Sequence, residues 1–388
     1  MSPGTTYDVL IIGAGITGVA THRLLKLHGL NSLLIDKGLV GHQTSSRSSK
    51  MLHGGIRYLE NFDFSLVNEA LTEKNYWLKK APQYCYEQKF LLPIFKESKR
   101  PLFMIRIGLF LYDALSKFKN TPHSIYNSKQ TLAAMPLLRE EGLRGAGVYH
   151  DAVVNDLAMT KAIAEQEKES LLEFAEFKNI EKIEEKLFSV TINHNGEEKK
   201  IQAKKIIFSL GPMTDQVLNK QTLFDWQNIL LPSKGSHLWI NKKSLPIEQA
   251  LLLQTKDERV LFAIPWEKSI LVGTTEILPE EELYDPLVSE DERQYMLKIL
   301  NHYFPHSKLS KKDIVGEFAG IRPLLASPGQ IDKGKISRKH IIFTPTQGVY
   351  VMGGGKFTTF RIMAKDMLKM ILRDSSLSFD NKTMDRIL

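Results

Sequence analysis

The stretch Tyr7-Asp-Val-Leu-Ile-Ile-Gly13-Ala-Gly-Ile-Thr-Gly18, with Asp36 beyond it, decides the fold. Its apolar start predicts a short buried strand, and its glycines predict a tight turn. Apolar spacing that continues to Leu27 predicts a helix, and residues 31–35 predict a second strand. Strand, turn, helix and strand within about thirty residues form a βαβ unit, and such units build parallel sheets. The chain is therefore expected to belong to the α/β class.

The glycines of this turn fit the pattern GxGxxG, which is typical of dinucleotide binding. The first glycine permits the turn, the second lets the backbone approach a pyrophosphate, and the third lets helix and strand pack closely. The helix N-terminus offers unpaired N–H groups to the phosphates. Asp36 follows Gly18 by 18 residues, a spacing typical of the acid that binds a ribose hydroxyl. We predict a dinucleotide site here; a glycine turn in another α/β fold is the alternative.

Further apolar runs predict how the rest of the chain is organised. Residues 205–210 and 348–352 end at glycines, as parallel strands do when they deliver a loop to a ligand. Residues 65–80 have helical apolar spacing, whereas residues 236–240, 259–264 and 269–272 alternate like antiparallel strands. We predict a Rossmann-like domain of residues 1–85, 145–215 and 340–388. An inserted antiparallel-sheet domain of residues 86–144 and 216–339 would bind substrate.

Two segments are rich in hydroxyl groups and glycine. One is Thr44-Ser-Ser-Arg-Ser-Ser-Lys50-Met-Leu-His53-Gly-Gly55, and the other is Gly353-Gly-Gly-Lys-Phe-Thr-Thr359. Hydroxyl and backbone donors at this density suit a second set of contacts to phosphate and to an isoalloxazine ring, and a glycine turn that feeds a helix suits a flavin. For the first segment, a solvated loop is the alternative.

In sequence order, these segments resemble those of the FAD-dependent glycerol-3-phosphate dehydrogenases, and the resemblance spans nearly the whole chain. It implies a glutathione-reductase-like FAD domain and an antiparallel substrate domain. It also implies oxidation of sn-glycerol 3-phosphate to dihydroxyacetone phosphate, with electrons passed to a quinone or to oxygen. The matching segments are Gly13–Gly18, Thr44–Lys50, His53–Glu60, Met104–Phe110, Lys234–His237, Ile264–Trp266, Gly273–Thr275, Gly320–Leu324 and Gly354–Thr359.

The resemblance also implies roles for individual residues. Arginine presents a planar fork to a phosphate dianion, so Arg57 and Arg322 would anchor the substrate. His53 or His237 would take the hydroxyl proton. The residues expected around substrate are His53, Arg57, Tyr58, His237, Arg322 and Lys356. Those expected to bind FAD are Gly13, Ala14, Gly15, Ile16, Thr17, Gly18, Asp36, Lys37, Thr44, Ser45, Ser46, Ser49, Lys50, Leu52, His53, Gly211, Gly355, Lys356, Thr358 and Thr359.

The chain departs from the family pattern in three places. Ser209-Leu-Gly211-Pro212 stands where the family commonly has Ala-Thr-Gly-Pro, so one hydroxyl contact to the flavin is in doubt. Glu276 stands where an aspartate is usual. After Leu388 the helical C-terminal domain of longer relatives is expected to be absent, which would expose the site or alter the electron acceptor.

Charge and cysteine content limit the classes of partner. The net charge is +8 and the sequence pI about 9.2, which fits an anionic membrane surface or a phosphorylated small molecule. A merely basic surface is the alternative. The basic residues are dispersed, which argues against nucleic acid. Cys85 is the only cysteine, so the chain has no internal disulfide and no cysteine-based metal site.

Residues 101–115 are nearly all apolar and have Lys99, Arg100, Arg106, Lys117 and Lys119 within or around them. A basic amphipathic helix at a membrane interface and a buried core helix both fit this composition. We detect no secretory signal and no run long enough to span a bilayer. The protein is expected in the cytoplasm, or peripheral on the inner face of the plasma membrane, and its oligomeric state stays open.

Two other functions fit the sequence. One is a flavoenzyme for a 2-hydroxy acid, an amine or a different phosphorylated polyol. The other is a non-catalytic flavin-binding protein that acts in assembly or regulation. Both alternatives keep the dinucleotide site, so they differ from the main hypothesis in substrate or in catalysis.

Overall fold

The computed structural model describes residues 5–255, 257, 259–279, 282–326, 340–373 and 377–388, without the side chains of Arg57 and Asn61. The described strands are β1 (Thr6–Ile12), β2 (Ser32–Ile35), β3 (Met51–Leu52), β4 (Cys85–Phe95), β5 (Ser124–Asn127), β6 (Leu143–Val154), β7 (Leu171–Leu172), β8 (Ala175–Glu184), β9 (Leu187–His194), β10 (Glu197–Phe208), β11 (Ser233–Asn241), β12 (Ala250–Gln254), β13 (Val260–Trp266), β14 (Ser269–Gly273), β15 (Ile314–Arg322), β16 (His340–Thr346) and β17 (Val349–Gly354). The described helices are α1 (Ile16–Leu27), α2 (Phe64–Lys80), α3 (Leu102–Leu115), α4 (Ser128–Ala134), α5 (Asp156–Glu165), α6 (Thr214–Leu218), α7 (Glu290–Tyr303) and α8 (Phe360–Leu372).

The chain forms two compact units. The first comprises residues 1–48, 155–233 and 321–388, and the second comprises residues 49–154 and 234–320. Each unit is built on its own sheet and has its own buried apolar residues.

The first unit contains a sheet with the strand order β16-β17-β10-β1-β2-β7, to which β9 and β8 are added as a hairpin. The five strands from β17 to β7 pair in parallel, whereas β16 and β9 pair antiparallel. Val9, Leu10 and Ile11 of β1 are fully buried, as expected for the central strand of a parallel sheet that is covered on both faces. The predicted βαβ unit is confirmed.

The second unit contains a nine-stranded sheet with the order β15-β11-β14-β13-β12-β4-β6-β3, and β5 is paired with β6. The pairs with a described register are antiparallel, except that β12 runs parallel to β4. The three alternating stretches predicted as antiparallel strands form β11, β13 and β14. A mixed α/β fold with an inserted, largely antiparallel unit is therefore confirmed.

The compact units divide the chain at residues different from the predicted domain boundaries. Residues 49–85 lie in the second unit because β3 and α2 pack there, and β3 pairs with β6. Residues 145–154 lie there as well, since they pair residue by residue with residues 85–94 of β4. Residues 216–233 belong to the first unit because Asp215 accepts hydrogen bonds from the backbone of Ile229 and Leu230. The predicted boundary at residues 339 and 340 falls at the edge of residues 327–339, which lie outside the described residues.

Helix α3 leaves one apolar face exposed. Ile105, Leu109 and Tyr112 are buried, whereas Phe103 and Phe110 are 65% and 54% exposed. Of the two alternatives for this segment, a helix buried on all sides does not hold, because only one side of the helix packs against the sheet. Within the described part of the chain, no helix is both long enough and apolar enough to cross a bilayer.

Candidate active site

Four loops of the first unit leave the same edge of its sheet. β1, β2, β10 and β17 are parallel neighbours, and Ile12 is level with Ile35 and Phe208, which is level with Val351. The residues that follow these strands therefore lie together at the carboxyl edge. This edge is where open α/β sheets bind ligands. It carries the glycine turn, Asp36, the Ser209–Gly211 turn and the glycines of residues 353–355.

The turn after β1 admits no side chain at two of its glycines. Gly13 has φ +107°, and a Cβ placed on it would lie 2.4 Å from the Ser209 carbonyl oxygen. A Cβ on Gly18 would lie 1.8 Å from the carbonyl oxygen of Gly13. Both obstacles are backbone atoms, which cannot swing away. The glycines thus bring the start of α1 against the turn, in the geometry that presents backbone N–H groups to a pyrophosphate.

Asp36 and Ser45 both bind this turn. Asp36 accepts hydrogen bonds from the backbone N–H groups of Ala14 at 2.7 Å and of Gly38 at 2.8 Å. Burial raises the pKa of Asp36 above its ordinary value, although these two bonds act in the opposite direction. The Ser45 hydroxyl accepts from the backbone N–H of Ile16, the first residue of α1, at 2.8 Å. The sequence predicted both residues near the dinucleotide, and the structure brings both to the turn.

The other residues between positions 37 and 46 that were predicted to bind FAD are Lys37, Thr44 and Ser46, and they flank this site. The Thr44 hydroxyl donates to the Ile321 carbonyl at 2.7 Å, which places the serine-rich loop beside Arg322. The Ser46 hydroxyl donates to the carbonyl of His42 at 3.0 Å. Lys37 is exposed. Contact between Arg322 and a phosphate stays a prediction. The structure does place Arg322 next to the serine-rich loop.

The segment after β17 leads into α8, as predicted. Lys356 accepts through its carbonyl from the N–H of Thr359 at 3.1 Å, in a single 3₁₀ turn just before the helix. The side chains of Thr358 and Thr359 are buried. Gly211 likewise opens a short 3₁₀ turn after β10. Leu210 stands where the family commonly has a threonine. Its neighbour Ser209 has a buried Oγ without a hydrogen-bond partner among the described residues.

In the second unit the ring of His237 is held on three sides. Its Nε2 and the Ser49 Oγ are 2.9 Å apart and share a hydrogen bond. Phe318 stacks on the ring with centroids 4.8 Å apart and planes at 14°. Gly273 lies beneath it, where a Cβ would be 2.2 Å from the imidazole Cδ2. His237 is therefore held in one orientation by its surroundings.

The other predicted residues of the second unit lie within residues 50–58, which include β3 and the start of the 3₁₀ turn of residues 56–61. Lys50 has its ammonium 5.5 Å from the centroid of the Phe318 ring, on the same aromatic residue that stacks against His237. Leu52 is fully buried in β3, and His53 follows it. Tyr58 packs against Gly55. The predicted role of Arg57 depends on a side chain outside those described. Over the described residues, no three or more His, Cys, Asp or Glu side chains are arranged to hold a metal ion.

The sequence did not predict one buried carboxylate near His237. Glu292, at the start of α7, is 4% exposed and accepts hydrogen bonds from three side chains of the β11 and β14 region. Those donors are Lys234, Ser236 and Thr275. Ser289 and Glu292 form a capping box, a pattern that the sequence does reveal. The contacts to β11 join residues more than 50 positions apart, and no local pattern predicts them.

Acid is expected to remove the stabilisation that Glu292 provides. Burial alone would raise its pKa, but the hydrogen bonds from its four partners outweigh burial and lower the pKa from 4.5 to about 2. A lowered pKa stabilises the folded state above pH 4.5 and loses that effect as the pH falls toward 2, by up to about 3 kcal/mol. The thermal unfolding midpoints of the wild type and of Glu292→Gln should therefore differ most at about pH 6 and converge as the pH falls through about 2. A difference between the two unfolding midpoints that stays constant with pH would contradict the lowered pKa of Glu292.

The chain matches the family model of FAD-dependent oxidoreductases over residues 8–370. It therefore belongs to the FAD-dependent oxidoreductase family, and FAD is its cofactor. The residues present fit this cofactor, because Gly13 and Gly18 let the N-terminus of α1 approach the end of β1, where its backbone N–H groups can meet a pyrophosphate.

Within this family the chain groups with the glycerol-3-phosphate dehydrogenases. It is 34% identical to the aerobic glycerol-3-phosphate dehydrogenase of Bacillus subtilis over 94% of its own length and 67% of that protein's. It is 33% identical to the enzyme of the same name from Staphylococcus aureus, over 96% and 69% of the two chains. The glycerol-3-phosphate dehydrogenase of Bacillus halodurans, solved with FAD, superposes with a TM-score of 0.78 at 26% identity, over 98% of this chain and 67% of that one.

The L-α-glycerophosphate oxidase of Mycoplasma pneumoniae, solved with FAD bound, shares the fold with a TM-score of 0.74 at 19% identity, over 97% of each chain. The resemblance stated from the sequence motifs is thus confirmed at the level of family, fold and cofactor. The individual residue roles stay predictions.

Proposed function

We propose that this chain oxidises sn-glycerol 3-phosphate to dihydroxyacetone phosphate and passes the electrons to a quinone or to oxygen. The observation that carries the proposal is the 34% identity to an aerobic glycerol-3-phosphate dehydrogenase over 94% of the chain. The glycine turn, with Asp36 and Ser45 bound to it, supports the proposal, since its geometry suits the cofactor of such an oxidation.

Oxidation of a secondary alcohol removes a hydride from carbon and a proton from the hydroxyl group. Bound FAD supplies the hydride acceptor. The proton needs a base from the protein, and histidine suits this role because its ordinary pKa lies close to neutral. We assign the role to His237, whose ring is held by Ser49, Phe318 and Gly273. His53 is the other candidate implied by the family resemblance.

The substrate carries a phosphate dianion, which needs cationic partners. A guanidinium offers two parallel N–H donors to phosphate oxygens. We assign this contact to Arg322, next to the serine-rich loop, and to Arg57. Tyr58 and Lys356 would contact the substrate or the flavin, as the family resemblance implies.

A substrate panel tests the proposal. The purified enzyme with an artificial electron acceptor should reduce that acceptor with glycerol 3-phosphate and form dihydroxyacetone phosphate in equal amount. Glycerol tests the need for the phosphate, and L-2-hydroxyglutarate and sarcosine represent the hydroxy-acid and amine alternatives. Turnover of either alternative substrate in preference to glycerol 3-phosphate would overturn the assignment.

We further propose that the chain binds in the cytoplasm to the surface of an anionic membrane through α3. Phe103, Ile107 and Phe110 are exposed on one face of this helix, and Arg106 lies among them. Lys117 and Lys119, both exposed, follow its C-terminal end. Exposed apolar side chains flanked by basic ones are typical of helices that lie in a membrane interface. Such a position suits a lipid-soluble quinone as the electron acceptor.

Replacement of Phe103, Ile107 and Phe110 by serine should abolish attachment to vesicles. The wild type is expected to sediment with vesicles that contain anionic lipid, and less so as salt rises, because screening weakens the basic contacts. The triple variant should lose at least about tenfold in binding, since three large apolar groups no longer leave water. Leu287→Ser removes another exposed apolar side chain of the second unit, away from α3, and serves as the control. Equal sedimentation of the triple variant and the wild type would contradict the proposal.

A further inference from the structure

The pairing of β11 with β14 is interrupted next to His237. His237 lies opposite Gly273, and the next bridge joins Lys234 to Ile277. Between these two pairs, β11 advances by three residues and the opposite chain by four. One extra residue in one chain is a β-bulge, a distortion that redirects side chains and is common beside active sites.

Side chains add to the backbone pairing at this bulge, where the Thr275 N–H still donates to the Ser236 carbonyl at 3.4 Å. The Thr275 hydroxyl accepts from the Ser236 N–H at 2.9 Å and donates to Glu292 Oε1 at 2.7 Å. The Ser236 hydroxyl donates to the same oxygen at 2.7 Å. The Lys234 ammonium lies 2.9 Å from the other oxygen, Glu292 Oε2. Three side chains of the bulged region therefore converge on one carboxylate of α7.

The position of the imidazole depends on this bulge. Ser236 immediately precedes His237, and Thr275 lies two residues beyond Gly273, on which the ring rests. A shift of either segment by a few tenths of an ångström would change the distance between the ring and Ser49, which is now 2.9 Å. Misplacement of a catalytic group by about 1 Å can cost about 100-fold in rate.

We propose that Thr275 and Glu292 are positioning residues that hold the β11–β14 bulge and thereby fix the ring of His237 for proton transfer. This inference rests on the proposed function for its kinetic consequence. Neither residue needs to touch the substrate, because both act through the backbone on either side of the ring. The bulge, the buried carboxylate and its donors all lie within the second unit.

Thr275→Val provides the sharpest test, because it removes the hydroxyl and keeps the shape of the side chain. We expect flavin reduction by glycerol 3-phosphate to slow by about 10- to 100-fold, with the substrate dissociation constant changed less than about threefold. Thr275→Ser keeps the hydroxyl and should restore most of the rate. Thr131→Val removes another buried hydroxyl of the second unit, in α4, and serves as the matched control.

The position of the ring can be read without turnover. In the FAD-loaded protein, the imidazole NMR signals of His237, assigned by their loss in His237→Asn, should move in Thr275→Val and stay in Thr275→Ser. If Thr275→Val fails to fold, Ser236→Ala removes another donor to Glu292 and is measured in the same way. Unchanged signals and unchanged reduction rates in the variant that folds would overturn the proposal. If glycerol 3-phosphate never reduces the wild type, the proposed function fails, while the NMR comparison still decides on the positioning.

Discussion

Gly18→Ala is expected to yield a protein that holds less than about a tenth of the FAD of the wild type. The added methyl carbon would lie 1.8 Å from the Gly13 carbonyl oxygen, and both atoms belong to segments fixed by the parallel sheet and by α1. Helix α1 must then move away from the turn, and its N–H groups lose their place at the pyrophosphate. The measurement is the flavin content per chain of the purified protein.

Gly108→Ala is the matched control for this substitution. Gly108 lies in α3, where no heavy atom would come within 4 Å of an added Cβ. Alanine in a helix interior is more favourable than glycine by up to about 1 kcal/mol, so this variant should fold and retain its flavin. A fully loaded Gly18→Ala protein would show that the close approach of α1 to the turn is not needed for cofactor binding.

Arg322→Ala is expected to weaken substrate binding by about 10- to 100-fold and to leave FAD bound. A hydrogen bond to a charged group contributes about 1.5–3 kcal/mol, and about 1.4 kcal/mol corresponds to a factor of ten. The measurement is the dissociation constant from the dependence of flavin reduction on glycerol 3-phosphate concentration. Arg322→Lys should recover only part of the loss, because an ammonium lacks the planar fork.

Arg373→Ala controls for the loss of one positive charge. Arg373 is exposed at the end of α8, in the same unit as Arg322. Its removal should change substrate binding by less than about twofold, since exposed charges are screened by salt. An unchanged dissociation constant in Arg322→Ala would refute the assignment of this arginine to the phosphate.

The features that the sequence predicts well are those that depend on neighbouring residues. The βαβ unit and the turn from Gly13 to Gly18 follow from periodicity and from spacing within about thirty residues. Asp36 could be placed for the same reason, because a short strand leads directly to it. The bonds from Ala14 and Gly38 to its carboxylate agree with that placement.

The features that the sequence does not predict depend on pairing between distant segments. The sequence predicts residues 49–85 as part of the Rossmann-like domain, but the pairing of Met51 and Leu52 with β6 places them in the second unit. The sequence does not predict which face of α3 is exposed, for a similar reason. Apart from Arg106 and Asp113 the residues of α3 are apolar or glycine, and only the position of the sheet determines which side is covered.

The buried network around Glu292 shows the same limit at the level of single residues. The sequence pattern from Ser289 to Glu292 signals the start of a helix. The same carboxylate also binds Ser236 and Thr275, and that second role exists only once α7 has packed against β11.

The central claim, that this flavoprotein oxidises glycerol 3-phosphate, is tested most directly by one absorption measurement. The purified protein should be yellow, with a flavin band at about 450 nm. Added under anaerobic conditions, glycerol 3-phosphate should bleach this band, and glycerol at the same concentration should leave it intact. A flavin band that glycerol 3-phosphate leaves unchanged, in protein that dithionite does reduce, would contradict the account.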